Sequence, residues 1–134
     1  MNQDQQQLLA AARQATELAY APYSRFRVGA AVLTPGGVFQ GANIETASTN
    51  LGICAERAAI THARLNGQAV ITGIAVCCLD ARPGKDGITD EYGAMPCGAC
   101  RQWIAELAPG AWIVVSSSNR VFWLDDLLPH AFKL

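Results

Sequence analysis

Ile71-Thr72-Gly73-Ile74-Ala75-Val76-Cys77-Cys78-Leu79 and, after a stretch rich in Gly, Asp and Pro, Met95-Pro96-Cys97-Gly98-Ala99-Cys100 are the pieces of sequence on which the fold turns. The first is a mainly apolar run, the pattern of a strand covered on both faces. The second leads into Gly98–Leu107, which fits a short helix. Ala111–Val115 then reads as another strand. Strand, helix and strand in that order make a βαβ unit, and place the two thiols of Cys97 and Cys100 at the helix start.

Working outward, Cys54 opens a second candidate helix that runs to about Asn66, where Gly67 can stop it. Val28–Leu33 and Val38–Ile44 read as two strands joined by a Thr34-Pro35-Gly36-Gly37 turn, a hairpin. Ala47–Ile53 reads as loop. From about Gln5 to Tyr20, Leu8, Leu9, Ala12, Ala15, Leu18 and Ala19 form an apolar helical stripe. It ends before Pro22, which pushes its predecessor out of the helical region. Asp80–Met95 reads as a loop and Arg120–Leu124 as a last strand. Leu127, Leu128 and Phe132 supply an apolar tail. The order predicts an α/β sandwich in which helices cover one mixed sheet.

The 134 residues fit a single domain, and 51% hydrophobic residues suffice for a core. The formal charge of -1 comes without clustered Lys and Arg, unlike a surface that grips duplex nucleic acid. No apolar run approaches the roughly 20 residues needed to span a bilayer. The polar N-terminus lacks the pattern of a signal peptide. A cytoplasmic location is therefore expected, where cysteines serve metals or catalysis more often than disulfides.

A CxxC pair alone is ambiguous between a redox motif and half of a zinc site. Cys54 supplies a third sulfur, also at a helix start, where unpaired N–H groups and the helix dipole favour thiolates. Three ligands leave the fourth tetrahedral position open, the mark of a catalytic rather than a structural zinc. Cys77 and Cys78 lie inside an apolar strand and are expected to pack in the core. His62 sits two turns past Cys54, and His130 lies near the C-terminus; neither is expected to ligate. Glu56 in a first helical turn is ordinary by itself. Two residues after a ligand, it can take a proton from water at the metal and deliver it to a leaving amine. Arg57 offsets the net negative charge that three thiolates impose on one zinc; a plain surface ion pair is its bland alternative.

These residues resemble the zinc-dependent cytidine deaminase family in its small, single-domain form. The likeness runs through Ala21-Pro22-Tyr23-Ser24, Phe26-Arg27-Val28-Gly29-Ala30-Ala31 and Gly41-Ala42-Asn43-Ile44-Glu45. It continues in Cys54-Ala55-Glu56-Arg57, Pro96-Cys97-Gly98-Ala99-Cys100-Arg101-Gln102 and Leu127-Leu128-Pro129-His130-Ala131-Phe132. The resemblance implies a three-layer α-β-α sandwich around a mixed five-stranded sheet. It implies one Zn2+ per chain on Cys54, Cys97 and Cys100, with Glu56 as the proton shuttle and Arg57 bonded to the zinc thiolates. Asn43 and Glu45 would hold the ribose hydroxyls, Phe26 would stack on the base, and the Ala55 N–H would bond the base carbonyl. The implied reaction is deamination of cytidine and 2'-deoxycytidine in pyrimidine salvage, the chemistry described generally for zinc deaminases. The resemblance further implies a homotetramer with shared active sites, Phe132 reaching into a neighbour's.

The sequence departs from the family in two places. Thr46 and Thr49 fall in a segment where asparagine and tyrosine are common, and the Asp80–Met95 loop is longer than the family's. A deaminase of the nucleoside antibiotic blasticidin S shares the cysteine and glutamate pattern and is the alternative substrate reading. A non-catalytic zinc module is the alternative of another class. A strand-editing deaminase would need interleaved aromatic and basic residues, which are missing.

Overall fold

Asn2 starts the first helix: its side chain accepts the Gln5 N–H while the Gln5 side chain accepts the Asn2 N–H. This reciprocal cap satisfies two otherwise orphaned donors. The computed structural model describes residues 1–81 and 90–134. Helix α1 spans Gln3–Ala15, continued by a 3-10 turn over Thr16–Leu18. Then follow β1 (Val28–Thr34), β2 (Gly37–Ala42), α2 (Ala55–Leu65), β3 (Gly73–Cys78), α3 (Gly98–Leu107), β4 (Trp112–Val115) and α4 (Leu124–Leu127). The sheet order is β2-β1-β3-β4, antiparallel at the first two pairings and parallel at the last.

Strand periodicity sorts side chains to two faces. Ala30, Val32, Ile74, Val76, Ile113 and Val115 meet α2 and α3 on one face. Ala31, Ala75, Cys77 and Val114 meet Leu8 and Ala12 of α1 on the other. Three α-β-α layers result, as expected. Ile60, Ile74, Ile104 and Ile113 are fully buried, each contributing about 1.5–3 kcal/mol by leaving water. Two glycines let the layers close. A Cβ on Gly29 would strike the Ala12 carbonyl of α1, and one on Gly41 would strike the Ala59 N–H and the Ala55 carbonyl of α2. Those contacts seat α2 directly on β2.

The expected fifth strand over Arg120–Leu124 is absent among the described residues; only the Ile113–Phe122 bridge remains of it. The chain there turns into α4, whose Asp126 carboxylate accepts the Trp123 N–H. Strand β2 stops at Ala42 rather than Ile44: the Asn43 N–H still donates to the Val28 carbonyl, but the Val28 N–H is taken by the Asn43 side chain and the Asn43 carbonyl accepts from Tyr20 instead. Residues 82–89 of the expected Asp80–Met95 loop lie outside the described residues.

Strands β2, β3 and β4 run in one direction, so their C-terminal ends share one edge of the sheet. The starts of α2 and α3 lie just past that edge, the usual place for ligands in α/β sheets.

Candidate metal centre and catalytic cleft

Cys54 is the N-cap of α2, Cys97 is the N-cap of α3, and Cys100 sits in the first turn of α3. Neither cap position carries a side-chain cap bond; a helix start, with its orphaned N–H groups and positive dipole end, favours the thiolate form of a cysteine placed there. The three Sγ atoms lie within 4.8 Å of one another, with Cys54 and Cys97 3.8 Å apart. A tetrahedral zinc with Zn–S bonds of about 2.3 Å needs sulfurs about 3.8 Å apart. All three thiols are free, and the spacing is far beyond the ~2 Å of a disulfide. The donor set therefore fits zinc.

Charge supports the same reading. Contact with Cys100, then Arg57, pulls the Cys54 thiol down to about 5 against the effect of burial. Cys100 is pushed up in return by Cys54, by burial and by Glu56. Thiols crowded this closely share one negative charge unless a cation joins them. Arg57 donates through Nη2 to Cys54 Sγ at 3.4 Å. Its Nε is buried and has no partner among the described residues. A guanidinium beside thiolates withdraws charge from a zinc shell that would otherwise be net negative.

Glu56, in the first turn of α2, is only 4% exposed. Burial, and the charge on Cys54 to a lesser degree, push its carboxyl up to about 7. A carboxyl in that range can both accept and return a proton near neutral pH.

These groups line a cleft of about 640 Å³, within the size range of small-molecule sites. Phe26, Asn43, Glu45 and Ala55 line it too, together with Cys54, Cys97, Glu56 and Arg57. Buried Cys100 holds the third sulfur behind them. The Asn43 side chain donates to the Phe26 carbonyl at 2.8 Å and accepts the Val28 N–H at 2.9 Å. These bonds fix its amide orientation and leave one N–H and one lone pair free. Glu45 accepts the Tyr23 and Ser24 N–H groups on Oε1, and its other oxygen has no hydrogen-bond partner among the described residues. The Ser24 side chain first, then the Ser24 N–H, hold its carboxyl below the usual carboxylate range against the effect of burial. Phe132 is not among the residues lining this cleft; it is 68% exposed beyond α3, its carbonyl accepting from Gln102.

Cys77 packs in the core as expected, but Cys78 does not simply do so: it faces the cleft. Strand alternation carried that information, since Val76 and Cys78 share a face. Burial pushes the Cys78 thiol up to about 12, leaving it a neutral wall. His62 packs edge-on against Phe39 and bonds the Gln40 carbonyl, away from the sulfurs. Sequence reading gave no role to Arg101, which donates to the Pro96 and Leu127 carbonyls and so braces the Cys97 loop. Its place beside Cys100 was the available signal.

A three-thiolate zinc site at paired helix starts, beside a buried carboxylate and an open cleft, defines a zinc-dependent hydrolase. Residues 2–116 match the family model described as the cytidine and deoxycytidylate deaminase zinc-binding region, and the chain belongs to that family. A cytidine deaminase of Halalkalibacterium halodurans is 43% identical over 134 residues, 96% of this chain and 94% of that protein. A probable cytidine deaminase of Dictyostelium discoideum is 37% identical, covering 99% and 87%. The crystal structure of the Burkholderia pseudomallei cytidine deaminase is 40% identical with a TM-score of 0.79, covering 98% of this chain and 100% of that one. That of the Mycobacterium tuberculosis cytidine deaminase is 36% identical with a TM-score of 0.80, covering 99% and 100%. The triad holds a single zinc ion per chain. Among the described residues, no helix is long and apolar enough to cross a membrane.

Proposed function

We propose that the chain hydrolyses cytidine and 2'-deoxycytidine to uridine and 2'-deoxyuridine, releasing ammonia, with Glu56 as the group that moves the protons. The observation that carries this reading is the burial of Glu56 in the first turn of α2, in the same cleft wall as Cys54 and Cys97. Zinc, when bound, supplies the Lewis acidity that makes water a nucleophile near neutral pH. Glu56 takes a proton from that water and passes it to N3 of the pyrimidine as C4 is attacked. Glu56 then takes the remaining proton from the oxygen now bonded to C4 and delivers it to the amine; the C4–N bond breaks, ammonia leaves and the C4 carbonyl forms. Arg57 stays on the Cys54 sulfur throughout. The Ala55 N–H holds the base carbonyl, and Phe26 forms a wall against the ring. Asn43, with its orientation fixed, and the free oxygen of Glu45 hold the sugar hydroxyls.

The cleft favours a nucleoside over a nucleotide. Its only cation among the described lining residues is Arg57, already bonded to Cys54, while Glu45 and Glu56 are acidic. A 5'-phosphate would enter without a positive partner. Residues 1–134 act as one cytidine deaminase domain, in a cytoplasmic homotetramer with shared sites. Exposed Phe132, Leu51 and Ile44, at 68%, 70% and 50%, are apolar surface for neighbouring chains to cover.

Ammonia release from cytidine, deoxycytidine, deoxycytidylate and blasticidin S tests the substrate reading. Both nucleosides are expected to turn over, with kcat/KM for deoxycytidylate lower by about a hundred-fold or more. Equal turnover of the nucleotide, or a preference for blasticidin S, contradicts it.

A further inference from the structure

Phe26 stands at an unusual place in the backbone. The residue before it, Arg25, has φ 57, the left-handed region that a bulky side chain rarely adopts. Such a conformation persists only where the surroundings hold it. Here they do: the Phe26 N–H donates to Ser24 Oγ at 3.0 Å, and the Phe26 carbonyl accepts from Asn43 Nδ2 at 2.8 Å. The next peptide is gripped from the end of β3. Asp80 Oδ2 accepts both the Arg27 N–H at 2.8 Å and Arg27 Nε at 2.9 Å, and Oδ1 accepts Nη2 at 2.8 Å. The Arg27 carbonyl in turn accepts the Leu79 N–H.

We propose that Asp80 is a positioning residue for Phe26: by clamping the backbone and guanidinium of Arg27 at once, it fixes the cleft wall against which the base lies. The role rests on the assignment of Phe26 to the base in the proposed reaction. A function in stability alone is a poor account of the clamp. The pair is partly exposed, with side chains 49% and 26% accessible, and exposed ion pairs contribute little to folding. Its geometry is instead that of a directional device: a bidentate carboxylate–guanidinium fork plus a charge-assisted bond to a peptide N–H. Arg27 holds the Asp80 carboxyl down to about 2, so the clamp persists through the pH range of any ordinary assay.

The test compares Asp80→Ala and Asp80→Asn with the unsubstituted zinc enzyme. In Asp80→Ala, KM for cytidine is expected to rise about ten-fold while kcat changes by less than about three-fold, because the loss falls on base placement and not on Glu56. Zinc content and melting temperature stay as they are. Asp80→Asn keeps an acceptor for the Arg27 N–H and recovers most of the KM. Hydrogen exchange gives a readout that needs no substrate. The Phe26 and Val28 amides, whose own acceptors the substitution leaves in place, exchange faster in Asp80→Ala. Unchanged exchange at those amides overturns the proposal, as does an unchanged KM in an active enzyme or a KM rise accompanied by zinc loss. Cytidine turnover by the unsubstituted enzyme, run alongside, tests the activity itself separately.

Discussion

Replacing Glu56 with Gln is expected to leave one zinc per chain while lowering kcat for cytidine by about 10³- to 10⁴-fold. The side chains have nearly the same shape, so the packing at the start of α2 is kept. Glutamine cannot accept a proton from water or return one to N3 and the amine. Its carboxamide is neutral, and Glu56 is 4% exposed with its carboxyl pushed up to about 7 by burial. Removing a charge from such a position relieves a desolvation cost, so the melting temperature should not fall. Rates of ammonia release, read against metal content by elemental analysis, check both halves. Metal loss, or turnover near that of the unsubstituted enzyme, contradicts the role given to Glu56.

Replacing Cys97 with Ser separates the metal from the fold. Cys97 caps α3 without a side-chain cap bond, and it is the exposed member of the triad. Serine is a favoured helix cap, so α3 should form at least as well. The serine hydroxyl is a poor zinc ligand, and two sulfurs remain. Zinc affinity is expected to drop on the order of a hundred-fold or more, and cytidine turnover to fall with zinc occupancy. Competition with a chromophoric chelator measures the affinity. A variant that keeps full zinc affinity would show that another group closes the site.

Much of this architecture is local and so legible in the chain. The apolar stripe through Leu8, Ala12 and Ala15, the Thr34–Gly37 turn and the helix starts at Cys54 and Cys97 are each set by neighbours a few residues apart. The triad was legible because ligand spacing and redox context act on sequence directly. Long-range contacts were not. Phe122 meets one residue of β4 and then gives way to α4, because Asp126 caps at Trp123; alternation alone reads that segment as a strand. Asn43 was read from resemblance as a sugar ligand. That its amide also ties Phe26 to Val28 depends on the β1–β2 register, which no local pattern encodes. Arg27 and Asp80 are 53 residues apart in sequence, and only the antiparallel pairing of β1 with β3 brings them together. Cys78 reads as a core residue because it lies inside an apolar strand; its setting follows from which face of β3 borders the cleft.

The most direct test of the account is ammonia release from cytidine by one enzyme preparation in three states: as isolated, stripped of metal by a chelator, and resupplied with one equivalent of zinc. Activity is expected in the first, its loss in the second and its recovery in the third, in proportion to zinc bound. Full hydrolysis by the stripped protein, or none by the protein carrying one zinc per chain, would contradict it.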